Sequence, residues 1–492
     1  MRFLIDTNIL IPLEPTARQD LQLEDARIVQ LARAVQEAGH GLLVHPGIIH
    51  DVRRNGDTDR RVLRERLVQK YPALQDPPEA SDRLRQLFGS PVLGSNEWVD
   101  SQLLAAVEAD AVDYLITNDR GIRRRAVEAG LGDRVLGTNE ALELVARLFD
   151  APPLPPPAVE SKKAYALNEQ DPILESLRED YGAFTFDEWL TKAKREHRQT
   201  WVIPARDADA YAGVCIVNEE RDQRFADTKT LKICTFKISE EHSGLAYGEL
   251  LLRTVFEYAH QNDYRRLYVT VFPKHEDLIY FLEQFGFSRL GLNALGEYEY
   301  TKPMHPPEAT IETETALEYH VRYGPYAWRW NRDRAWVIPI KPRYHHILFP
   351  DAEPQRPLLP GDRPSGNSIR KAYLSRAGTR SIAPGDLLVF YRSDDTQALT
   401  VVGVAEETSV SEAPEDIATF VGKRTVYRYA DICEMCSGGE VLAILFRYAH
   451  RIGDPVRRAE LEQRHLLTAA PQSIQQLRKG DKPWLLKRLK QQ

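Results

Sequence analysis

The sequence predicts an α/β protein of several domains, and three observations support that prediction. The chain has 492 residues, more than one hydrophobic core usually serves, and at about 150 residues per domain it divides into three. Short apolar runs, FLI at residues 3–5, GLLV at 41–44 and YLIT at 114–117, alternate with helical stretches such as residues 103–111, as in a parallel sheet covered by helices. The alternation returns at residues 230–238 (strand), 249–261 (helix), 266–272 (strand) and 277–285 (helix). The third observation is punctuation: residues 151–159, APPLPPPAV, contain five prolines and can continue neither a helix nor a central strand.

These boundaries predict an α/β domain over residues 1–150, a proline-rich linker at 151–160 and a second α/β domain over 161–303. A second linker at 304–319, overlapping KPMHPPEATIETET at 302–315, leads to a third domain at 320–492 with a basic tail at 478–490. The third domain carries the runs DLLVFY, LTVVGVAEE and VLAILFRYA, which predict a small β-barrel or curled sheet. Hydrophobic residues make up 42% and charged residues 28%, a globular balance that argues against disorder. With 65 basic against 72 acidic residues the net charge is -7, so nucleic-acid binding has to come from local patches. Four cysteines make no disulfide framework and predict a reducing, cytoplasmic setting. Cys433 and Cys436 lack the second pair that a zinc site needs. No apolar run approaches the roughly 20 residues that span a bilayer. Asp6 and Asn8 break the apolar N-terminus, which predicts a buried first strand in place of a signal peptide.

Asp6 directly follows the first strand, Thr117, Asn118 and Asp119 follow the strand near 114–116, and Asp100 opens the helix before it. Carboxyl ends of parallel strands are where sites are built. Each aspartate taken singly is also a good helix cap. Converging carboxylates would hold a hard divalent cation, Mg²⁺ or Mn²⁺. The order Asp-Thr-Asn, a second acid, Asp and Thr-Asn-Asp over residues 1–148 resembles the PIN-domain nucleases, metal-dependent and often toxins. That resemblance implies a PIN-like parallel sheet sandwich with Asp6, Asp51, Asp100 and Asp119 as metal ligands and catalytic acids, Asp51 standing where glutamate is usual. It also implies a nucleic-acid substrate, RNA before DNA, a homodimer, and a separate antitoxin-like regulator. Arg53, Arg54, Arg120 and Arg123 flank the acids and are expected phosphate contacts, although a charge run is more often a solvated helix face.

In the second domain SEEHSGLAYGELLL joins a strand to a helix, with small residues at Gly244, Ala246 and Gly248, so backbone N–H groups can approach an anion there. With the next strand and helix ending in Phe-Gly-Phe at 285–287, the order resembles the GNAT acetyltransferases over about residues 160–303. The resemblance implies an acetyl-CoA site, with Phe236 and Ile238 beside the pantetheine arm and Ser243, Gly244, Ala246 and Gly248 at the pyrophosphate. Leu282 stands where many members have the tyrosine that protonates the departing thiolate, and leucine has no proton to give.

In the third domain aromatic and basic residues are interleaved: Trp328, Trp330 and Trp336, then Lys341 and Arg343. Such residues stack on bases and pair with phosphates, or simply fill a core. The Pro-Gly-Asp turn before two strands resembles the PUA-like superfamily (ASCH and EVE domains) over about residues 320–475, which implies a barrel cleft lined by Ser368, Arg370, Lys371 and Arg392 and a nucleic-acid ligand. The main expectation is metal-dependent phosphodiester hydrolysis by the first domain. The alternatives are acetyl transfer to RNA, aminoacyl-tRNA or protein by the second domain, and a non-catalytic nucleic-acid-binding adaptor.

Overall fold

The computed structural model describes the chain except residues 14–26, 29–30, 33, 36–39, 54–60, 62–63, 66–67, 69–70, 150–158, 206–209, 240–241, 243–245, 308–313, 331–333, 353–365, 367, 479 and 491–492. Residues 151–158 of the expected proline-rich linker, with Arg54, Ser243 and Gly244, lie outside the described residues. The chain forms two compact units, one of residues 1–152 with 413–423 and 427–438, the other of residues 153–412 with 424–426 and 439–492.

The first unit runs β1 (Arg2–Ile5), α1 (Thr7–Leu13), β2 (Gly41–Val44), α2 (Ile49–Arg53), α3 (Asp82–Phe88), α4 (Asn96–Glu108), β3 (Tyr114–Ile116), α5 (Arg120–Glu128), β4 (Val135–Leu136) and α6 (Thr138–Leu148). Its four strands are all parallel in the order β2-β1-β3-β4. Phe3, Leu4 and Ile5 are buried in succession, as a strand covered on both faces requires. Helices Pro414–Val421 and Tyr429–Ser437, far away in sequence, complete this unit. Tyr114 donates to the Ala418 carbonyl at 3.3 Å, and Tyr429 packs on Phe149 with ring centroids 5.4 Å apart.

The second unit opens with β5 (Glu160–Lys163), α7 (Glu175–Tyr181), α8 (Ala183–Arg195), β6 (Gln199–Pro204), β7 (Tyr211–Glu219), β8 (Thr230–Ile238), α9 (Tyr247–Gln261), β9 (Arg266–Val271), α10 (Glu276–Gln284), β10 (Ser288–Leu292) and β11 (Tyr298–Pro303). These strands form a seven-stranded sheet, β10-β11-β9-β8-β7-β6-β5, antiparallel except for the parallel pair β8 and β9. One face packs Leu251, Leu252, Val255 and Phe256 of α9 against Leu231, Ile233, Leu267 and Val269. The other packs Leu174, Phe186 and Leu190 against Val202, Val214 and Ile216. The sheet is thus a central layer between two helical ones.

After α11 (Ala316–Tyr323) come β12 (Ala335–Ile340), β13 (Arg370–Ser375), β14 (Leu387–Arg392), β15 (Ala398–Ser411), β16 (Val441–Arg457) and β17 (Gln475–Gln476). They form a six-stranded sheet in the order β13-β16-β15-β14-β12-β17. Among the described residues only β12 and β14 pair in parallel. Among the same residues β13 and β17 are edges that do not pair with each other, so the expected closed barrel is corrected to an open sheet. Bulges along β15 and β16 bend those long strands.

This sheet and the preceding one share a core, because Ile369 is buried among the side chains of α9 and its neighbours. Polar ties reinforce the junction: the Glu249 carboxylate accepts from the backbone N–H groups of Ile369 at 2.6 Å and Arg370 at 3.1 Å. Lys302, fully buried, donates to the Val321 and Arg322 carbonyls at 3.0 and 2.8 Å, satisfying the end of α11. Among the described residues no helix is long and apolar enough to cross a membrane.

Candidate functional site

β8 and β9 pair only from Thr230 with Arg266 to Ile233 with Val269. Beyond that point β8 continues to Ile238 bonded to β7 alone. The register shifts between Ile216 and Val217 opposite Ile233 and Thr235, so Cys234 is the extra residue of a bulge, which bends its strand. The result is a notch at the carboxyl ends of two parallel strands, where β8 has no β9 partner for residues 234–238. Phe236 lines the helical side of this notch and stacks on Phe281 with centroids 5.9 Å apart. Ile238 packs beside it on the same core.

The turn from β8 into α9 ends at Ala246, whose φ of 57° is left-handed, a conformation that favours glycine. A Cβ on Gly248 would meet the Phe281 ring at 3.4 Å, an ordinary van der Waals contact. Leu282 is buried in the core and faces no reacting group.

On the opposite face of the sheet the end of β9 leads to Phe272, and a set of residues no motif singled out gathers around it. Tyr181, at the end of α7, donates to Glu297 at 2.6 Å and packs on Phe272 with centroids 5.0 Å apart. Asn293 donates to the other Glu297 oxygen at 2.7 Å. Asp180 accepts from Lys274 and bonds His275 at 2.6 Å, tying α7 to the β9–α10 turn and holding its carboxyl below the usual carboxylate range. Burial and the Glu297 carboxylate push the Tyr181 hydroxyl well above its ordinary range. Tyr181 and Glu297 are 116 positions apart, and the sequence signal for them is weak: each adjoins a glycine, Gly182 or Gly296, in a left-handed turn.

The four aspartates of the first unit lie near enough to act on one another's charge. Asp6 is buried at the end of β1 and pushed up to about 6, first by burial and also by Asp51 and Asp119. Asp100 rises to about 7 through burial, against the opposing pull of Arg125 and with the added repulsion of Asp119, Asp6 and Asp51. Ser95, not Asp100, caps α4, accepting from the Trp98 N–H, while Asp119 caps α5 by accepting from Ile122 at 2.9 Å. The acids are also engaged within the protein. Asp6 accepts from Thr7 N, Asn8 and Thr117 at 2.6, 2.5 and 2.7 Å, Thr7 donates to Asp51 at 3.2 Å, and Arg125 pairs with Asp100 at 3.3 Å. Among the described residues no group of three or more His, Cys, Asp and Glu is placed to hold one ion. The arrangement as it stands does not fit a divalent cation, which corrects the expectation of a formed Mg²⁺ or Mn²⁺ site.

The expected phosphate contacts also have internal partners. Arg53 pairs with Glu65 at 3.0 Å and Arg123 with Glu140 at 2.8 Å, and Arg120 opens α5 on the exposed surface. In the last sheet Arg370 pairs with Glu406 at 3.0 Å and Arg392 with Asp395 at 2.7 Å. Lys371 is fully buried and donates to the Gly366 carbonyl at 3.1 Å. Ser368 is buried too. Of the four expected cleft residues, two are thus buried and two are paired with carboxylates.

No curated protein matches the chain. The ASCH protein of Zymomonas mobilis is similar in structure over 32% of this chain and 95% of its own, at 15% identity and a TM-score of 0.25. An N-acetyltransferase from Staphylococcus aureus Mu50 is similar over 30% of this chain and 98% of its own, at 16% identity and a TM-score of 0.25. The model of the acetyltransferase (GNAT) family matches residues 163–287, the stretch that contains the notch and both helical layers, and the chain carries a GNAT-type domain there.

Proposed function

We propose that the second unit transfers an acetyl group from acetyl-CoA to an amine at the notch between β8 and β9. The observation that supports this best is the divergence of the two parallel strands after Ile233 and Val269, inside the segment that matches the acetyltransferase family. A strand edge without a sheet partner offers backbone donors and acceptors to an extended ligand, so residues 234–238 suit the pantetheine arm. The left-handed Ala246 and the first turn of α9 suit the pyrophosphate. The amine attacks the thioester carbonyl and the thiol leaves. Leu282 takes no part in protonating it, since it is buried and apolar.

The test is direct. Calorimetry should record acetyl-CoA binding that free CoA competes for, and incubation with labelled acetyl-CoA and cell extract should move label onto an acceptor. Absence of both binding and transfer sinks the proposal. Which acceptor is used, whether RNA, aminoacyl-tRNA or protein, is read from the fraction that takes up the label.

A second reading keeps hydrolysis of nucleic acid in the first unit, as a PIN-like nuclease. The raised Asp6 and Asp100 carboxyls favour it, because crowded acids are relieved by a cation. It requires Arg125 to release Asp100. A Mn²⁺ titration of the whole chain tests it: no heat, and no cleavage of RNA or DNA with Mn²⁺, removes this reading and leaves the acids structural.

A further inference from the structure

Resting on the acetyl-transfer reading, we propose that the Tyr181 and Glu297 pair is the proton acceptor of that reaction, and that its acceptor substrate carries the amine beside an apolar group. Four observations lead there. Glu297 is almost fully buried, 3% exposed, yet it is reached from the surface through Tyr181, which is 36% exposed. The pair lies next to Phe272, the residue after β9, so it adjoins the carboxyl end of a strand that bounds the notch. Glu297 precedes β11, whose Tyr298 pairs with Val271 at the end of β9. And the chain beside each member of the pair carries a strongly exposed apolar side chain, Phe184 at 77% three residues after Tyr181, on α8, and Leu295 at 72% two residues before Glu297, in the β10–β11 turn.

An exposed leucine alone needs no explanation. Leu295 donates its backbone N–H to Asn293, which itself donates to Glu297, and Phe184 follows Tyr181 by three residues, so apolar side chains and two rings accompany one buried carboxylate. Such a neighbourhood complements an ammonium group on an apolar skeleton, by charge and by the attraction of cations to ring faces. The nearby Lys274 is engaged by Asp180.

In the proposed step the acceptor ammonium gives one proton to the Tyr181 oxygen while Tyr181 passes its own along the 2.6 Å hydrogen bond to Glu297. The freed lone pair forms the C–N bond at the thioester carbonyl. The C–S bond breaks with its electron pair going to sulfur, the second N–H proton goes to the departing thiolate, and Glu297 later returns its proton to solvent. A general base of this kind contributes about 10²–10⁴ in rate.

Leucinamide and glycinamide are suitable probes, because their amines are similar in basicity and differ in the apolar group. The full chain should acetylate leucinamide with kcat/KM at least about tenfold above glycinamide, as one buried apolar group supplies. Glu297→Gln keeps an oxygen for Tyr181, so it should bind acetyl-CoA normally by calorimetry and lose at least about 10² in kcat with little change in KM. Tyr181→Phe should do the same, and Phe184→Ser with Leu295→Ser should abolish the preference between probes while leaving kcat for glycinamide in place. Glu297→Gln within twofold of the parent, equal use of the two probes, or a parent that binds acetyl-CoA and acetylates neither probe overturns this inference and leaves the acetyl-CoA reading standing. Failure to bind acetyl-CoA at all overturns both.

Discussion

Asp100→Asn tests whether the acids of the first unit are held at a cost. Asp100 is raised from 3.8 to about 7, and at about 1.4 kcal/mol per unit the ionised carboxylate costs up to about 4 kcal/mol of folding free energy. The sign follows from proton binding. Between pH 4 and 7 the folded state holds the proton more tightly than the unfolded state, so stability falls as pH rises through that window and stays low above it. The amide removes the charge and with it the cost. The pull of Arg125, 3.3 Å away, is already contained in that net shift, and because the pair is partly exposed to water the figure of about 4 kcal/mol is an upper limit. The variant is therefore expected to be more stable than the parent by roughly 2–3 kcal/mol at pH 8, with the advantage vanishing below pH 4. Hydrogen exchange on peptides covering β1 and β3, corrected for intrinsic amide rates, follows this unit separately from the other. A variant equal to the parent at pH 8, or less stable, refutes the reasoning and means that the Arg125 pair outweighs the cost of the buried charge. Mn²⁺ that slows exchange in the parent at pH 8 and not in the variant would support the second functional reading.

Other outcomes follow from single contacts. Gly286 has φ of 81° and a Cβ there would lie 2.0 Å from the Val321 carbonyl oxygen, so Gly286→Ala should lower stability by more than about 2 kcal/mol, measured by urea unfolding. Ala246→Gly should raise stability by about 0.5–1 kcal/mol, because glycine accepts the left-handed turn that Ala246 now occupies, and should leave acetyl-CoA affinity intact by calorimetry. Glu249→Gln weakens the charge-assisted bonds from Ile369 and Arg370, with an expected loss of about 1–2 kcal/mol in unfolding. Removing a negative charge from the first turn of α9 should at the same time strengthen acetyl-CoA binding, a result opposite to that of a merely disrupted fold.

What the sequence made legible, and what it hid, follows from the range of the signals involved. The strands at 3–5, 114–116, 230–238 and 266–271 are apolar runs bounded by helices, and such local patterns can be read directly. The divergence of β8 from β9 could be expected only through the family resemblance, since a lost strand pair has no composition of its own. Tyr181 and Glu297 could not be found because their meeting depends on two turns far apart in the chain, and each residue alone is ordinary. The corrections at Arg123, Arg370 and Lys371 have one cause. A basic residue beside a motif carries the same letter whether it faces a ligand or a glutamate, and only the fold brings Glu140 to Arg123 and Glu406 to Arg370.

The position of residues 413–438 extends this to domain boundaries. The segment lies between β15 and β16 of the last sheet, yet most of it belongs to the first unit, where Ala418 accepts from Tyr114 and Tyr429 packs on Phe149. The sequence there contains no proline-rich linker on either side, only a helix start at Pro414 and the glycines Gly438 and Gly439. Linker composition marks where a chain is free to be extended, which is a different property from where one core ends and another begins. A cut at residue 150 would therefore separate β1 and β3 from helices that cover them. An isolated first unit has to carry residues 413–438 if its stability, and the titration of Asp6 and Asp100 with it, is to be that of the whole protein.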